Sequence, residues 1–101
     1  LYVLGTLDRP DHGELTLDGT SMFSRSDSQL AALRNRSFGF VFQFHNLLPE
    51  FSALENVCLP GFIAKRNEKE VTDAATRLLD RLGLEARLHH KPSELSGGEQ
   101  Q

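Results

Sequence analysis

The last eight residues, Glu94–Gln101, read "ELSGGEQQ" and hold the residues best placed for chemistry. Ser96 and Glu99 stand at the S-x-x-E spacing of a capping box, which predicts a helix starting near Gly97. A helix start needs no glycines, and each costs on the order of 1 kcal/mol against alanine. Two in succession, Gly97 and Gly98, leave backbone N–H groups uncovered at the positive end of a helix dipole, where a bulky anion can approach. Ser96 adds a hydroxyl donor. Local physics supports anion binding and plain capping about equally.

Gln43 closes the apolar run "GFVFQ" and opens a loop. A neutral amide there can bind a metal ion through its oxygen, or orient water through both ends. Taken alone, a polar residue marking the end of a strand is the simpler account. The remaining reactive types form no constellation. His89 and His90 are adjacent and project apart, while His12 and His45 have no partner at ligand spacing. Cys58, the only cysteine, has no neighbouring base and reads as a small buried apolar residue. It also excludes an intrachain disulfide, which fits a reducing compartment. Glu68, Lys69 and Glu70 read as a solvated helix start.

The elements that must position these residues follow from pattern. Leu1–Leu4 with Gly5 reads as the last turn of a helix and a glycine cap. "LDRPDHG" is a loop, and "ELTLDG" alternates as a half-buried strand, Leu15 and Leu17 on one face, ending in an Asp-Gly turn. Ser26–Arg36 reads as a short helix capped by Ser26 or Asp27, with Leu30 and Leu33 sharing a face. Phe38–Phe42, "FGFVF", reads as a strand buried on both faces. Ser52 with Glu55 is a second capping box, starting a helix that Pro60 and Gly61 should interrupt or kink. Asn67–Gly83 is the clearest helix, with Val71, Ala74, Ala75, Leu78, Leu79 and Leu82 at helical spacing and Gly83 as its stop. Glu85–His90 reads as a short helix stopped before Pro92. The front is strand-rich and the back is helical.

Bulk properties set the class. The chain has 101 residues, enough for one small domain, and its 39% hydrophobic and 25% charged content suits a soluble globular protein. A formal net charge of −3 argues against a dedicated nucleic-acid binder. No apolar run approaches the roughly 20 residues that span a bilayer. The chain opens on Leu1 inside an apolar segment and stops just as a helix begins, so both ends are expected to be cuts in a longer protein.

"LSGGEQQ", Leu95–Gln101, resembles the signature motif of ATP-binding cassette (ABC) ATPases. Gln43 after "GFVF" resembles that family's Q-loop, "FQFHNLLPEFSALENV" the stretch that follows it, and "LDRPDHGELTLDG" the lead into its antiparallel β-subdomain. Order and spacing agree over essentially all 101 residues. "FHNLLPEFSALENV" and "KPSEL" are most similar to the branch that serves bacterial lipoprotein release, with macrolide and antimicrobial-peptide exporters close by.

The resemblance implies an α/β fold: a portion of a P-loop NTPase domain of ABC type, with part of the antiparallel β-subdomain and most of the helical subdomain. Residues 1–45 would supply the end of the P-loop helix, the β-subdomain strands and the Q-loop, and residues 46–101 the helical subdomain ending in the signature motif. It implies ATP and Mg²⁺ as cofactors. Two nucleotide-binding subunits would pair head to tail, with integral membrane subunits as further partners, at the cytoplasmic face of the bacterial inner membrane. Ser96 and the backbone of Gly98 would contact the γ-phosphate held by the partner subunit, with Gly97 and Glu99 completing the motif. Gln43 would reach the Mg²⁺ and the attacking water. The segment after Gln43 would help form the groove for a membrane subunit's coupling helix. No G-x-x-x-x-G-K-[ST] occurs in the 101 residues, so this chain alone is expected not to hydrolyse ATP. A different class of reading also fits the residues: a helical interaction module in which Gly97 and Gly98 merely cap.

Overall fold

A computed structural model describes all residues, 1–101. The chain divides into two compact units, Leu1–Phe40 and Val41–Gln101.

The first unit opens with a helical turn over residues 2–6. Its end is a Schellman arrangement: Leu7 N–H donates to the Tyr2 carbonyl at 2.8 Å and Thr6 N–H to that of Val3 at 3.0 Å. The left-handed residue is Thr6, at φ 61°, and not the expected cap Gly5. Gly5 is small for another reason, since a Cβ there would lie 2.7 Å from Phe40 Cε1. A β-branched residue in this conformation is strained. Thr6 is buried, and Arg34 Nη1 donates to its carbonyl at 2.6 Å and its hydroxyl at 3.3 Å.

A hairpin follows, β1 (Thr16–Leu17) antiparallel to β2 (Thr20–Ser21), with Thr16 opposite Ser21 and Leu17 opposite Thr20. Asp18 and Gly19 both have positive φ, 50° and 80°, the two-residue turn that "DG" predicts. The strand is shorter than the alternation suggested, and Leu17 is 40% exposed. A ribbon this short has little face to bury. Helix α1 spans Asp27–Ser37, capped by Ser26 in a box with Gln29. Its Leu30 and Leu33 join Met22 in the interior. Arg9 clasps the entry to α1, donating to Asp27 Oδ1 at 2.9 Å and to the Phe23 and Arg25 carbonyls, with its guanidinium over the Phe23 ring.

Phe38–Phe42 forms no strand, contrary to its pattern. Phe40 is 39% and Val41 88% exposed. A strand buried on both faces needs a ladder on each edge, and this chain offers it no strand to pair with.

The second unit is helical. Helices α2 (Ala53–Ile63) and α3 (Glu68–Arg81) pack together, followed by 3₁₀ turns at Glu85–Arg87 and Pro92–Glu94 and the single-turn α4 (Gly97–Gln100). Cys58, Val71 and Ala75 form the core, with Leu54 against it. Burial pushes the Cys58 thiol up from its ordinary value. Pro60 does not interrupt α2, which continues to Ile63. Proline removes one N–H, and here only the last turn lies beyond it. Gly61 meets Val71 so closely that a Cβ would sit 2.7 Å from both its methyls. The α3 face is narrower than its periodicity suggested: Val71, Ala75 and Leu79 are buried, while Leu78 is 51% and Leu82 73% exposed. One neighbouring helix covers one stripe. The Gly83 stop is as predicted, with φ 75° and Leu84 N–H donating to Leu79.

The first turn of α2 is fully engaged. Ala53 N–H donates to the His90 carbonyl at 2.8 Å and Leu54 N–H to that of Leu88 at 2.9 Å. Glu55 N–H donates to Ser52 Oγ. These bonds tie the segment before Pro92 to the start of α2 and leave no donor there for an anion. No helix is long and apolar enough to cross a membrane.

Candidate functional site

Residues 92–101 fold as a tight sequence of turns. The 3₁₀ turn at Pro92–Glu94 buries Pro92 and Leu95, which sets the chain direction into Ser96. Ser96 then caps α4 as its spacing predicts. Glu99 N–H donates to Ser96 Oγ at 3.2 Å, and Ser96 N–H donates to Glu99 Oε1 at 2.8 Å. The second carboxylate oxygen of Glu99 accepts from Arg87 Nε at 2.9 Å. The Ser96 backbone N–H and the Arg87 guanidinium hold the Glu99 carboxyl below its ordinary pKa. Gln100 Nε2 donates to the Pro92 carbonyl at 2.7 Å and to that of Leu95 at 3.2 Å, pinning the turn.

The glycine pair has no internal explanation. Neither Gly97 nor Gly98 has a positive φ, and a Cβ on either would meet nothing within 4 Å. Alanine would fit both positions and favour the helix. Ser96 Oγ uses a lone pair to accept from Glu99 N–H, so its own proton is available to an outside acceptor. The arrangement presents a hydroxyl and uncovered amides to solvent.

Gln43 lies exposed at a bend after Phe42. The structure brings the end of the signature-like segment to its neighbour: Gln101 Nε2 donates to the Phe42 carbonyl at 3.3 Å. After Gln43 the loop runs through Asn46, at φ 57°, to α2. Asn56 organises its second half. Its Oδ1 accepts from Leu48 N–H at 2.8 Å, and its Nδ2 faces the Leu48, Phe51 and Ser52 carbonyls at 3.1 Å each. Sequence reasoning missed Asn56, and an asparagine four residues after a serine cap was the available sign. It also missed Arg87, whose partner lies twelve residues away. A groove of about 210 Å³ lies between these parts, apolar along Leu47, Val57, Leu79 and Leu84 and polar at Glu99 and Gln100.

The other reactive residues stay apart. His12 and His89 are exposed, His45 and His90 half-buried, and nowhere do three or more His, Cys, Asp or Glu side chains gather as metal ligands. Glu68, Lys69 and Glu70 are exposed at the start of α3. Asp80 and Glu85 lie together, and their shared hydrogen bond and repulsion raise the Glu85 carboxyl above its ordinary value.

Comparison with known proteins gives this geometry a setting. Over its whole length the chain is 56% identical to the lipoprotein-releasing system ATP-binding protein of Porphyromonas gingivalis, covering 46% of it. The protein of the same name from Bacteroides fragilis is 54% identical, with 47% covered. The chain thus spans about half the length of these relatives. Among solved structures, a dimeric bacterial ABC transporter cassette superposes with a TM-score of 0.87 at 38% identity, covering 98% of this chain and 44% of that one. A dimeric ATP-binding cassette in a post-hydrolysis state, bound to ADP and Pi, gives 0.86 at the same identity and coverage. The α/β fold is therefore that of an ABC cassette. The ABC transporter family model matches residues 1–101, the hairpin and α1 as well as the capped turn at Ser96, and the chain belongs to that family.

Proposed function

We propose that this chain carries the Q-loop, helical subdomain and signature motif of an ABC ATPase that couples ATP hydrolysis to lipoprotein release at the bacterial inner membrane. One observation carries the site assignment. Gly97 and Gly98 are required neither by conformation nor by this chain's own packing, while Ser96 keeps a proton for an outside acceptor. The relatives named as lipoprotein-releasing ATP-binding proteins, 52–56% identical over the chain, support the transport assignment.

A phosphate fits these residues, because donors are uncovered and nothing crowds them. Ser96 Oγ and the Gly98 N–H would hold the γ-phosphate of ATP bound by a second subunit in a head-to-tail pair. Gly97 would allow the close approach, and Glu99 would keep Ser96 in place. Gln43 would reach the Mg²⁺ and the attacking water from the exposed bend. When bound, Mg-ATP supplies the phosphoanhydride bond and the cation that neutralises charge on it. The loop after Gln43 presents Phe44, 77% exposed, and Leu48, 40% exposed, to an integral membrane subunit.

The test is ATP turnover by the full-length protein with its membrane subunits. A hydrogen bond to a charged phosphate is worth about 1.5–3 kcal/mol, so Ser96→Ala should lower kcat roughly 10- to 100-fold. Gln43→Ala should do likewise. Unchanged turnover in either variant removes that residue's role. Co-purification with a drug exporter's membrane domain would remove the lipoprotein assignment.

A further inference from the structure

We infer that Arg87 is a positioning residue for Ser96, acting through Glu99; the inference rests on the reading of Ser96 as a nucleotide contact. The capping box of α4 uses one Glu99 oxygen, Oε1, to accept from Ser96 N–H at 2.8 Å. The other oxygen is gripped by Arg87 Nε at 2.9 Å. Glu99 N–H, on the same residue, donates to Ser96 Oγ at 3.2 Å. Three consecutive contacts therefore run from Arg87 to the hydroxyl that faces outward.

A helix of four residues with two glycines cannot hold that hydroxyl by itself. Its own ladder amounts to Gln100 N–H on Ser96 at 2.9 Å and Gln101 N–H on Gly97 at 3.2 Å. It is far below the length at which helices are stable alone. The other two serine capping boxes, Ser26 with Gln29 and Ser52 with Glu55, each begin an eleven-residue helix. At Ser96 stiffness must come from outside. Gln100 fixes the far end of the turn through the Pro92 and Leu95 carbonyls. Arg87 fixes the near end, and it stands in the 3₁₀ turn that follows the glycine stop of α3. The pair thus refers Ser96 to the most regular helix of the unit.

Stability is a poor explanation for the contact. The side chains of Arg87 and Glu99 are 45% and 27% exposed, and ion pairs this accessible add little to folding. Position is a better one. The signature segment meets nucleotide only when two subunits close, so its looseness should appear in turnover and not in the affinity of the P-loop for ATP.

The experiment is a double-mutant cycle in the full-length protein. Glu99→Gln keeps a carbonyl oxygen for Ser96 N–H, and so keeps the cap, but turns an amide towards Arg87. Arg87→Gln and Glu99→Gln should each lower kcat roughly fivefold, with KM for ATP moving less than about twofold and melting temperature little changed. The double variant should lose no more than either single, because the two residues act as one device. Losses that multiply in the double variant, an unchanged kcat in Arg87→Gln, or a KM that rises with the fall in kcat would each overturn the inference. If Arg87→Gln fails to fold, folded Glu99→Gln decides alone, and full turnover there overturns it. Ser96→Ala separates the two readings. If it leaves turnover intact, the site assignment itself fails; if it abolishes turnover while the pair variants are silent, only the role of Arg87 fails.

Discussion

At Asn56 one side chain fastens a loop to a helix. Its amide meets four backbone groups of Leu48, Phe51 and Ser52 within 3.1 Å. Each such bond contributes about 1 kcal/mol net, and the amide has only two protons for three carbonyls. Asn56→Ala should therefore destabilise the chain by about 2–3 kcal/mol in urea unfolding. Asn56→Asp should cost more, because a carboxylate keeps the bond from Leu48 N–H but sets an anion against three carbonyl oxygens. An Asp variant as stable as the Ala variant would show that Nδ2 donates nothing of consequence. Residues of this kind were the least legible. Ser52 with Glu55 and Ser96 with Glu99 could be read because donor and acceptor are always three residues apart. The partners of Asn56 lie at four to eight residues and that of Arg87 at twelve, separations that only the fold fixes. The left-handed residue at the first helix end was misplaced for a related reason. Glycine is favoured at that position, yet Gly5 was needed beneath the Phe40 ring, and Thr6 took the turn with support from Arg34.

Helix existence and caps were legible in α1, α2 and α3 because they are local. Which face each helix buries was only partly so. Leu78 and Leu82 share the periodicity of Leu79 but lie outside the stripe that α2 covers. The Phe38–Phe42 run has the composition of a buried strand and lacks strand partners in this chain, so composition alone misled. Gly61 is the sharpest element-scale constraint. It lets α2 approach α3 at Val71, whose two methyls stand 2.7 Å from where a Cβ on residue 61 would lie. A branched valine has little rotamer freedom in a helix, so it cannot swing aside. Gly61→Ala gains about 1 kcal/mol of helix propensity and loses about 1–3 kcal/mol to overpacking, and the loss should win. The expected outcome is a lower melting temperature for Gly61→Ala, with recovery when Val71→Ala is added. A Gly61→Ala protein more stable than the parent would mean that the helices separate at little cost.

For the molecule as a whole, the resemblance carried the fold class, since the two units by themselves hold a two-stranded hairpin, four α-helices and two 3₁₀ turns. The chain's own donors also bound what it can do with nucleotide in isolation. A phosphate at Ser96 would gain from one hydroxyl and the two glycine amides, at about 0.5–1.5 kcal/mol each, or up to about 3 kcal/mol where charge assists. Association costs about 4–15 kcal/mol in lost translation and rotation. The net charge of −3 works against an anion as well. No P-loop sequence occurs in these residues to wrap the phosphates. At the most favourable end of both ranges the balance is about 5 kcal/mol, so affinity should be no tighter than about 0.2 mM. Isothermal titration of the 101-residue chain with Mg-ATP should accordingly give no saturable heat at ligand concentrations up to about 100 μM. The same preparation should release no phosphate. A dissociation constant below about 100 μM would contradict this reading, because it would require more than about 5 kcal/mol from donors that cannot supply it net of the association cost. Ser96, Gly97 and Gly98 would then be a binding site in their own right and not one wall of a site that a second subunit completes.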